Sequence, residues 1–497
     1  MIKLFCNKAE KKIENFWNHI VFHPTNGIEK DWGKQHLDKM AEDKAVQIVR
    51  IYSMFEENVS LNEKGEMQYD FSKNDYRIDY LLSKGFTPYI VYGFFPEFLA
   101  AEKDESLVRH RYDGDYLCRT YVNDYAKWAE ICRVYTKHIV DRYGEDQVAT
   151  WYIHCYNEPD AGNFFYKNAP SIEARAAEYC KMYEGFVKGI TSVSEKLKIG
   201  AMGLAESMEH FDFEDLFLQF VRKNNLKLDF LSYHSYGTCP QQIADNTRPI
   251  SVQSAIRNTM MFKQIAKLHG FGELPMICDE WGPVTSGFDG VWRCPEVIMR
   301  ETEENAVYFA KMLTCYDEIG LTDPLLHCLS GAHDLKEDFG GHRNFFSRSF
   351  YPKPLYNAYV LAAKLGDQKL YYYTNKKYQD VSIMPTKHPD GHISILMAYG
   401  DDFLKRQLAD KEVQIDLSGL AGKYSAKLWR IDKNHANCYT KFLELGSPQD
   451  PTEEQKEIIR AAGTLKEENL GTVSPENNIL RFAMIQNATV LVELYPL

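Results

Sequence analysis

Two textures of apolar and polar positions alternate along the first three quarters of the chain. Short, continuous apolar runs are each followed by a longer stretch whose apolar residues recur every three or four positions. The runs at residues 19–23, 46–52, 87–93, 149–155, 199–204, 228–233, 275–278 and 324–329 predict buried strands. Between them, residues 121–143 carry Tyr125, Trp128, Ile131, Cys132, Tyr135 and Ile139 on one helical stripe. Residues 172–197, 252–269 and 302–319 show the same spacing. Such alternation predicts βα units around a parallel sheet. An open Rossmann sheet would want Gly-x-Gly-x-x-Gly after its first strand, and none is present. The expected fold is therefore α/β, a (β/α)8 TIM barrel over residues 15–365.

Past Gly366 the texture changes. Short strand-like runs at 371–373, 381–384, 392–399, 413–417, 424–431, 480–483 and 489–495 are separated by turns such as Pro389-Asp390-Gly391. That spacing predicts a C-terminal β-sandwich built from residues 366–497 together with 1–14. A helix is expected at 451–462, started by Pro451-Thr452-Glu453-Glu454.

Composition narrows the partners. The 497 residues are 44% hydrophobic and 26% charged, ordinary for a globular chain. The net charge of −12 argues against a phosphate backbone or an anionic membrane surface as partner. No run of about 18 apolar residues exists to span a bilayer. The 11 cysteines include no Cys-x-x-Cys pair, which argues against structural zinc and fits reduced thiols. The N-terminus turns charged without an apolar signal segment, so a cytoplasmic location is expected unless a leader has been removed.

Chemistry in such barrels sits at the C-terminal strand ends. After the fourth run comes His154-Cys155-Tyr156-Asn157-Glu158-Pro159-Asp160. After the seventh comes Cys278-Asp279-Glu280-Trp281-Gly282-Pro283. Strands four and seven stand roughly across a barrel of eight, so Glu158 and Glu280 are placed to face each other over the mouth. Glycoside hydrolysis needs two such carboxylates, about 5–5.5 Å apart when configuration is retained. Asp279 competes with Glu280, but one residue earlier its side chain should point to the other side of the strand.

Asn-Glu-Pro after strand four and a glutamate after strand seven resemble the large clan of retaining (β/α)8 glycosidases. Within it the chain resembles glycoside hydrolase family 39, the β-xylosidase and α-L-iduronidase family. Further matches are Tyr69-Asp70-Phe71-Ser72 through Gly85-Phe86-Thr87-Pro88, and the loop Gly93-Phe94-Phe95-Pro96-Glu97-Phe98-Leu99-Ala100. Ile431-Asp432, Asn437, Leu445-Gly446-Ser447-Pro448 and Pro451-Thr452-Glu453-Glu454 are similar to its sandwich domain. The resemblance implies Glu158 as acid/base and Glu280 as nucleophile. It implies Asn157 as a ligand of the sugar 2-hydroxyl, His234 and Tyr236 as the His-x-Tyr after strand six, and Arg50 as a brace of the catalytic floor. It implies no metal and no organic cofactor.

Departures from the family lie where the sugar would sit. Tyr52 stands where the family often has His, and Tyr156 where it has Trp. The strand-eight stretch Leu329-Ser330-Gly331-Ala332-His333-Asp334-Leu335-Lys336-Glu337-Asp338 lacks the family's Trp. His333, Glu337 and His342 are candidates for new hydroxyl contacts, and Arg343 and Arg348 for a uronate clamp. The expected function is that of an exo-acting retaining glycosidase, β-xylosidase-like, acting on an oligosaccharide or simple glycoside. A β-galactoside, β-glucoside, α-L-arabinoside or uronide fits the same machinery. A non-catalytic carbohydrate-binding protein on this scaffold is the alternative from another class. The sandwich leaves room for a homo-oligomer.

Overall fold

The eight apolar runs become eight parallel strands: β1 (His19–His23), β2 (Ile48–Tyr52), β3 (Thr87–Tyr92), β4 (Tyr152–Cys155), β5 (Lys198–Leu204), β6 (Phe230–Thr238), β7 (Met276–Val284) and β8 (Leu325–Ser330). The computed structural model describes residues 1–110, 116–205, 211–238, 250–284, 290–292, 294–330, 337–403 and 406–497. The strands close into a barrel in chain order, β8 pairing with β1. Each is followed by a helix, from Asp31–Glu42 after β1 to Pro354–Ala362 after β8.

The local causes are readable. β1 is buried along its whole length, as expected of a parallel strand covered on both faces. The helix Tyr125–Tyr143 buries Trp128, Ile131, Cys132, Tyr135, Thr136 and Ile139 on one stripe. Asp124 caps it by accepting from the Ala126 and Lys127 amides, and Gly144, at φ 85°, ends it. Its neighbour, Ile172–Thr191, packs closely enough that a Cβ on Gly189 would lie 2.5 Å from the Ala129 carbonyl. No helix among the described residues is long and apolar enough to cross a membrane.

The C-terminal strands are β9 (Gln368–Thr374), β10 (Val381–Lys387), β11 (Ile393–Tyr399), β12 (Lys411–Ser418), β13 (Tyr424–Ile431), β14 (Glu467–Val473), β15 (Ile479–Met484) and β16 (Ala488–Pro496). With the N-terminal strand Ile2–Lys12 they form one nine-stranded hydrogen-bonded order, β14-β13-β16-β11-β10-β9-N-terminal-β12-β15. It folds over a single core, in which Ile2 and Leu4 meet Ile395, Ile415, Leu428, Leu480 and Val492, giving the sandwich. The N-terminal strand runs antiparallel to β9 and parallel to β12. The expected helix spans Glu453–Gly463, where Thr452 and Gln455 close a capping box.

Strand alternation joins sandwich to barrel. Ile383, Ile395, Leu428 and Val492 face the sandwich core. Their neighbours Met384, Leu396, Trp429 and Leu491 face the barrel helices and extend the barrel core. Asp317, fully buried on the helix Glu303–Glu318, pins this junction. Lys11 Nζ lies 2.9 Å from its Oδ1 and Lys369 Nζ 2.5 Å from its Oδ2. Removing the buried carboxylate strands the buried Lys369 ammonium, while the partly exposed Lys11 can turn to solvent. Asp317→Leu is therefore expected to lower the thermal midpoint by about 5 °C or more, read by differential scanning fluorimetry. An unchanged midpoint would show that apolar burial alone holds the junction.

Candidate active site

Strands six and seven run past the points where their apolar character stops, because residues 234–238 of β6 go on pairing with 280–284 of β7. The pairing is irregular. Tyr233 faces Cys278, but the next pair is His234 with Glu280, so Asp279 is an extra residue in a bulge. This corrects the expectation that Asp279 and Glu280 point to opposite sides. The outward position goes to Trp281, which stacks on Phe309 at 5.7 Å, while both carboxylates reach Arg50 inside the barrel.

Arg50, on β2, is fully buried. Its Nε lies 3.1 Å from Asp279 Oδ2, and its Nη1 donates to Glu280 Oε1 at 3.0 Å. Its Nη2 donates to Asn157 Oδ1 at 2.6 Å. Holding Oδ1 fixes the Asn157 amide and leaves its NH2 as the group available to a ligand. Tyr89 donates to Asp279 Oδ2 at 3.1 Å. Tyr52 accepts from Arg50 at 3.4 Å and stacks on Phe94 at 5.5 Å.

Glu158 rises from the loop after β4, where Tyr156 and Glu158 sit at φ 64° and 47°. Such left-handed conformations cost non-glycine residues about 1–2 kcal/mol each and persist only when their surroundings enforce them. His154 supplies part of that hold. Its Nδ1 donates to the Tyr156 carbonyl at 2.8 Å, which leaves Nε2 to accept from Ser232 at 2.6 Å. The Glu158 amide donates to the Gly203 carbonyl at 3.1 Å. Gly203 sits at φ 58°, and a Cβ there would lie 3.1 Å from His154 Cε1 and 3.5 Å from His234 Nε2. A side chain at 203 would press on both histidines.

His234 joins the two sides. Its Nδ1 is 2.7 Å from Glu158 Oε1 and 3.7 Å from Glu280 Oε2, and its Nε2 is 3.5 Å from Asp279 Oδ1. Burial disfavours its charge, but Glu280, Glu158 and Asp279 outweigh that and lift it to about 9, so the ring is an imidazolium at neutral pH. Tyr236 donates to Glu280 Oε2 at 2.9 Å and accepts from Arg343 Nη1 at 2.7 Å.

These surroundings split the two glutamates. Burial raises Glu280, but His234, Arg50, Arg343 and the Tyr236 hydroxyl more than offset it and hold the carboxyl at about 2. Glu158 is raised above the ordinary carboxylate range by burial, helped by the Glu280 charge and opposed by its bond to His234. The Glu280 carboxyl is thus held ionised, while that of Glu158 is shifted toward its protonated form. A ligating atom from each of Glu158, His234 and Glu280 falls within 4.8 Å of the others. The spacing suits a retaining pair, since inverting pairs stand about 6.5–9.5 Å apart. The same three donors could contact a divalent cation, but the Arg50 and Arg343 charges beside Glu280 oppose one.

Of the residues singled out in the sequence, Glu158, Glu280, Asn157, His234, Tyr236, Arg50 and Tyr52 come together in one network. Glu337 is exposed, and His333 lies outside the described residues. His342 is buried against the exposed Trp292, ring centroids 5.6 Å apart. Arg343, suggested as a uronate clamp, is instead committed to Tyr236, while Arg348 is exposed. The parts of Asp279 and Tyr89 were missed: a bulge and a cross-barrel hydrogen bond leave no trace in apolar periodicity.

The likenesses to known proteins run the length of the chain. The curated β-xylosidase of Caldicellulosiruptor saccharolyticus is 25% identical over 490 residues, covering 97% of this chain and 96% of its own. That of Geobacillus stearothermophilus is 24% identical over 487 residues, covering 92% and 88%. The fold is similar to the crystal structure of a monomeric β-xylosidase from Caulobacter crescentus, with a TM-score of 0.82 at 19% identity over 100% of this chain and 99% of that one. The model of the family described as glycosyl hydrolases family 39 matches residues 1–475, so the chain belongs to that family and is an O-glycosyl hydrolase.

Proposed function

We propose that this hydrolase removes single sugars from non-reducing ends by double displacement with net retention, with Glu280 as nucleophile and Glu158 as acid/base. The observation that carries the reading is a pair of carboxyls with oxygens within 4.8 Å, one held well below the ordinary carboxylate range and the other raised above it. In the first step a Glu280 oxygen attacks the anomeric carbon, the bond to the leaving oxygen breaks, and the Glu158 proton passes to that oxygen. Because His234 occupies Oε1 of Glu158, the proton resides on Oε2. In the second step the Glu158 carboxylate takes a proton from water. The water oxygen attacks the anomeric carbon, the ester bond to Glu280 breaks, and Glu158 is a protonated acid again. The Asn157 NH2 donates to the sugar 2-hydroxyl, a contact that strengthens as the oxocarbenium ion develops.

β-Xyloside is the substrate that the names of the curated relatives support. The test follows hydrolysis of p-nitrophenyl β-xyloside by proton NMR. β-Xylose is expected as the first-formed anomer, mutarotating later. α-Xylose appearing first would sink the retaining reading. Turnover of the β-galactoside, β-glucoside, α-L-arabinoside or a uronide in place of the xyloside would keep the mechanism and change the sugar.

A further inference from the structure

The loop after β8 is tied down at three successive carbonyls. Gly341 O accepts from Arg300 Nη1 at 3.0 Å, His342 O from Lys353 Nζ at 3.1 Å, and Arg343 O from His327 Nε2 at 3.0 Å. Arg300 also donates to the Val284 carbonyl at the end of β7, and Lys353 pairs with buried Glu301 at 2.7 Å. Glu301 in turn accepts from the Gly341 amide at 2.7 Å. A loop fixed this densely aims its side chains, and among the described ones Arg343 reaches Tyr236. Its guanidinium donates to the Tyr236 hydroxyl at 2.7 Å and lies 4.4 Å from the centre of that ring.

We propose that Arg343 is a positioning residue for the nucleophile, fixing the Tyr236 proton on Glu280 and stabilising the Glu280 carboxylate when it departs from the glycosyl-enzyme. The inference rests on the reading of Glu280 as nucleophile. A phenol carries one proton and two lone pairs. When Arg343 donates to a lone pair, the hydroxyl hydrogen is directed to the other neighbour, Glu280 Oε2 at 2.9 Å. The effect of the charge differs between the two steps. Forming the ester neutralises Glu280, which a nearby cation does not favour. Breaking the ester restores the carboxylate, which the cation does favour. Arg343 thus assists deglycosylation more than glycosylation.

The groups facing Glu280 are Arg50 of β2, Glu158 of the β4 loop, His234 and Tyr236 of β6, Cys328 of β8 and Arg343, with Tyr52 and Asp279 one step away on Arg50. Burial pushes the Cys328 thiol up to about 12, so it stays neutral across the working range. Removing the Arg343 charge leaves Arg50 and His234 to hold Glu280 ionised.

The experiment measures Arg343→Met and Arg343→Lys on p-nitrophenyl β-xyloside, or on whichever aryl glycoside the wild type turns over. For Arg343→Met, kcat is expected to fall about tenfold or more, the worth of one charge-assisted hydrogen bond. KM falls with it, a pre-steady-state burst of nitrophenol appears, and the acidic limb of kcat/KM moves up by about one pH unit. Arg343→Lys keeps the charge but loses the planar fork, so it restores the limb and only part of kcat. Should the methionine variant not fold, Arg343→Gln removes the charge while keeping a polar side chain, and a folded glutamine variant with wild-type kcat, KM, burst and acidic limb overturns the proposal. So does a folded Arg343→Met variant with kcat within about twofold and an unmoved limb. Failure of azide to rescue Glu280→Ala would instead strike the underlying assignment, whatever the Arg343 variants do.

Discussion

Glu280→Ala is expected to lower kcat by roughly five orders of magnitude, with sodium azide restoring a measurable part of the turnover. On the proposed mechanism the loss is large because no other carboxylate among the described residues is placed to form the glycosyl ester. Asp279 is the nearest alternative, but it is fully buried and engaged by Arg50 and Tyr89. The rescue follows from what the substitution leaves behind. Arg50 Nη1 and the Tyr236 hydroxyl point at the vacated space and the His234 imidazolium lies beside it, so it is cationic and lined with donors. A small anion fits there and attacks from the side that Glu280 used. From a β-glycoside it gives the α-glycosyl azide, a product of inverted configuration detectable by NMR. A β-azide from this variant, or inverted azide from Glu158→Ala and none from Glu280→Ala, would exchange the two roles. The result is independent of which sugar the enzyme prefers, provided the glycoside carries a leaving group that needs no proton.

How far this site was legible follows from where its determinants lie in the chain. Glu158 and Glu280 stand at the ends of apolar runs, and a strand end is a local feature. Position in a barrel then places them across the mouth. The relation of Asp279 to Glu280 was misread, since period-two alternation sends neighbours to opposite faces and only the pairing of β6 with β7 reveals the extra residue. Arg343 is harder still. The role proposed for it depends on three carbonyl contacts made by other segments, none of which alters local hydrophobic pattern. The same limit holds in the sandwich. β14 (Glu467–Val473) is a largely exposed edge strand with little apolar content, so nothing in its sequence marks it. β16, by contrast, is buried over most of its length and was legible from composition alone.

Glu158→Gln is expected to separate substrates by leaving group. Glutamine keeps an acceptor for His234 at the Oε1 position and removes the transferable proton, so the loop and its left-handed residue 158 are preserved. With an alkyl xyloside or xylobiose, whose leaving oxygen needs protonation, kcat/KM should fall about a thousandfold. With a dinitrophenyl glycoside it should fall less than about tenfold, because that leaving group departs as an anion. Its kcat should still drop, since water loses its general base in the second step, and azide should restore it while giving an azide of retained configuration. The pH profile supplies an independent sign. With the proposed roles, wild-type activity needs Glu280 ionised and Glu158 protonated. It is lost as pH falls toward the depressed Glu280 value of about 2, and lost again as pH rises through the elevated value of Glu158. An amide does not titrate, so the alkaline limb in kcat/KM for the dinitrophenyl substrate should disappear while the acidic limb stays. A uniform loss across leaving groups would mean that the proton reaches the leaving oxygen from a group other than Glu158, whereas an alkaline limb left at about pH 9 in the glutamine variant would belong to His234.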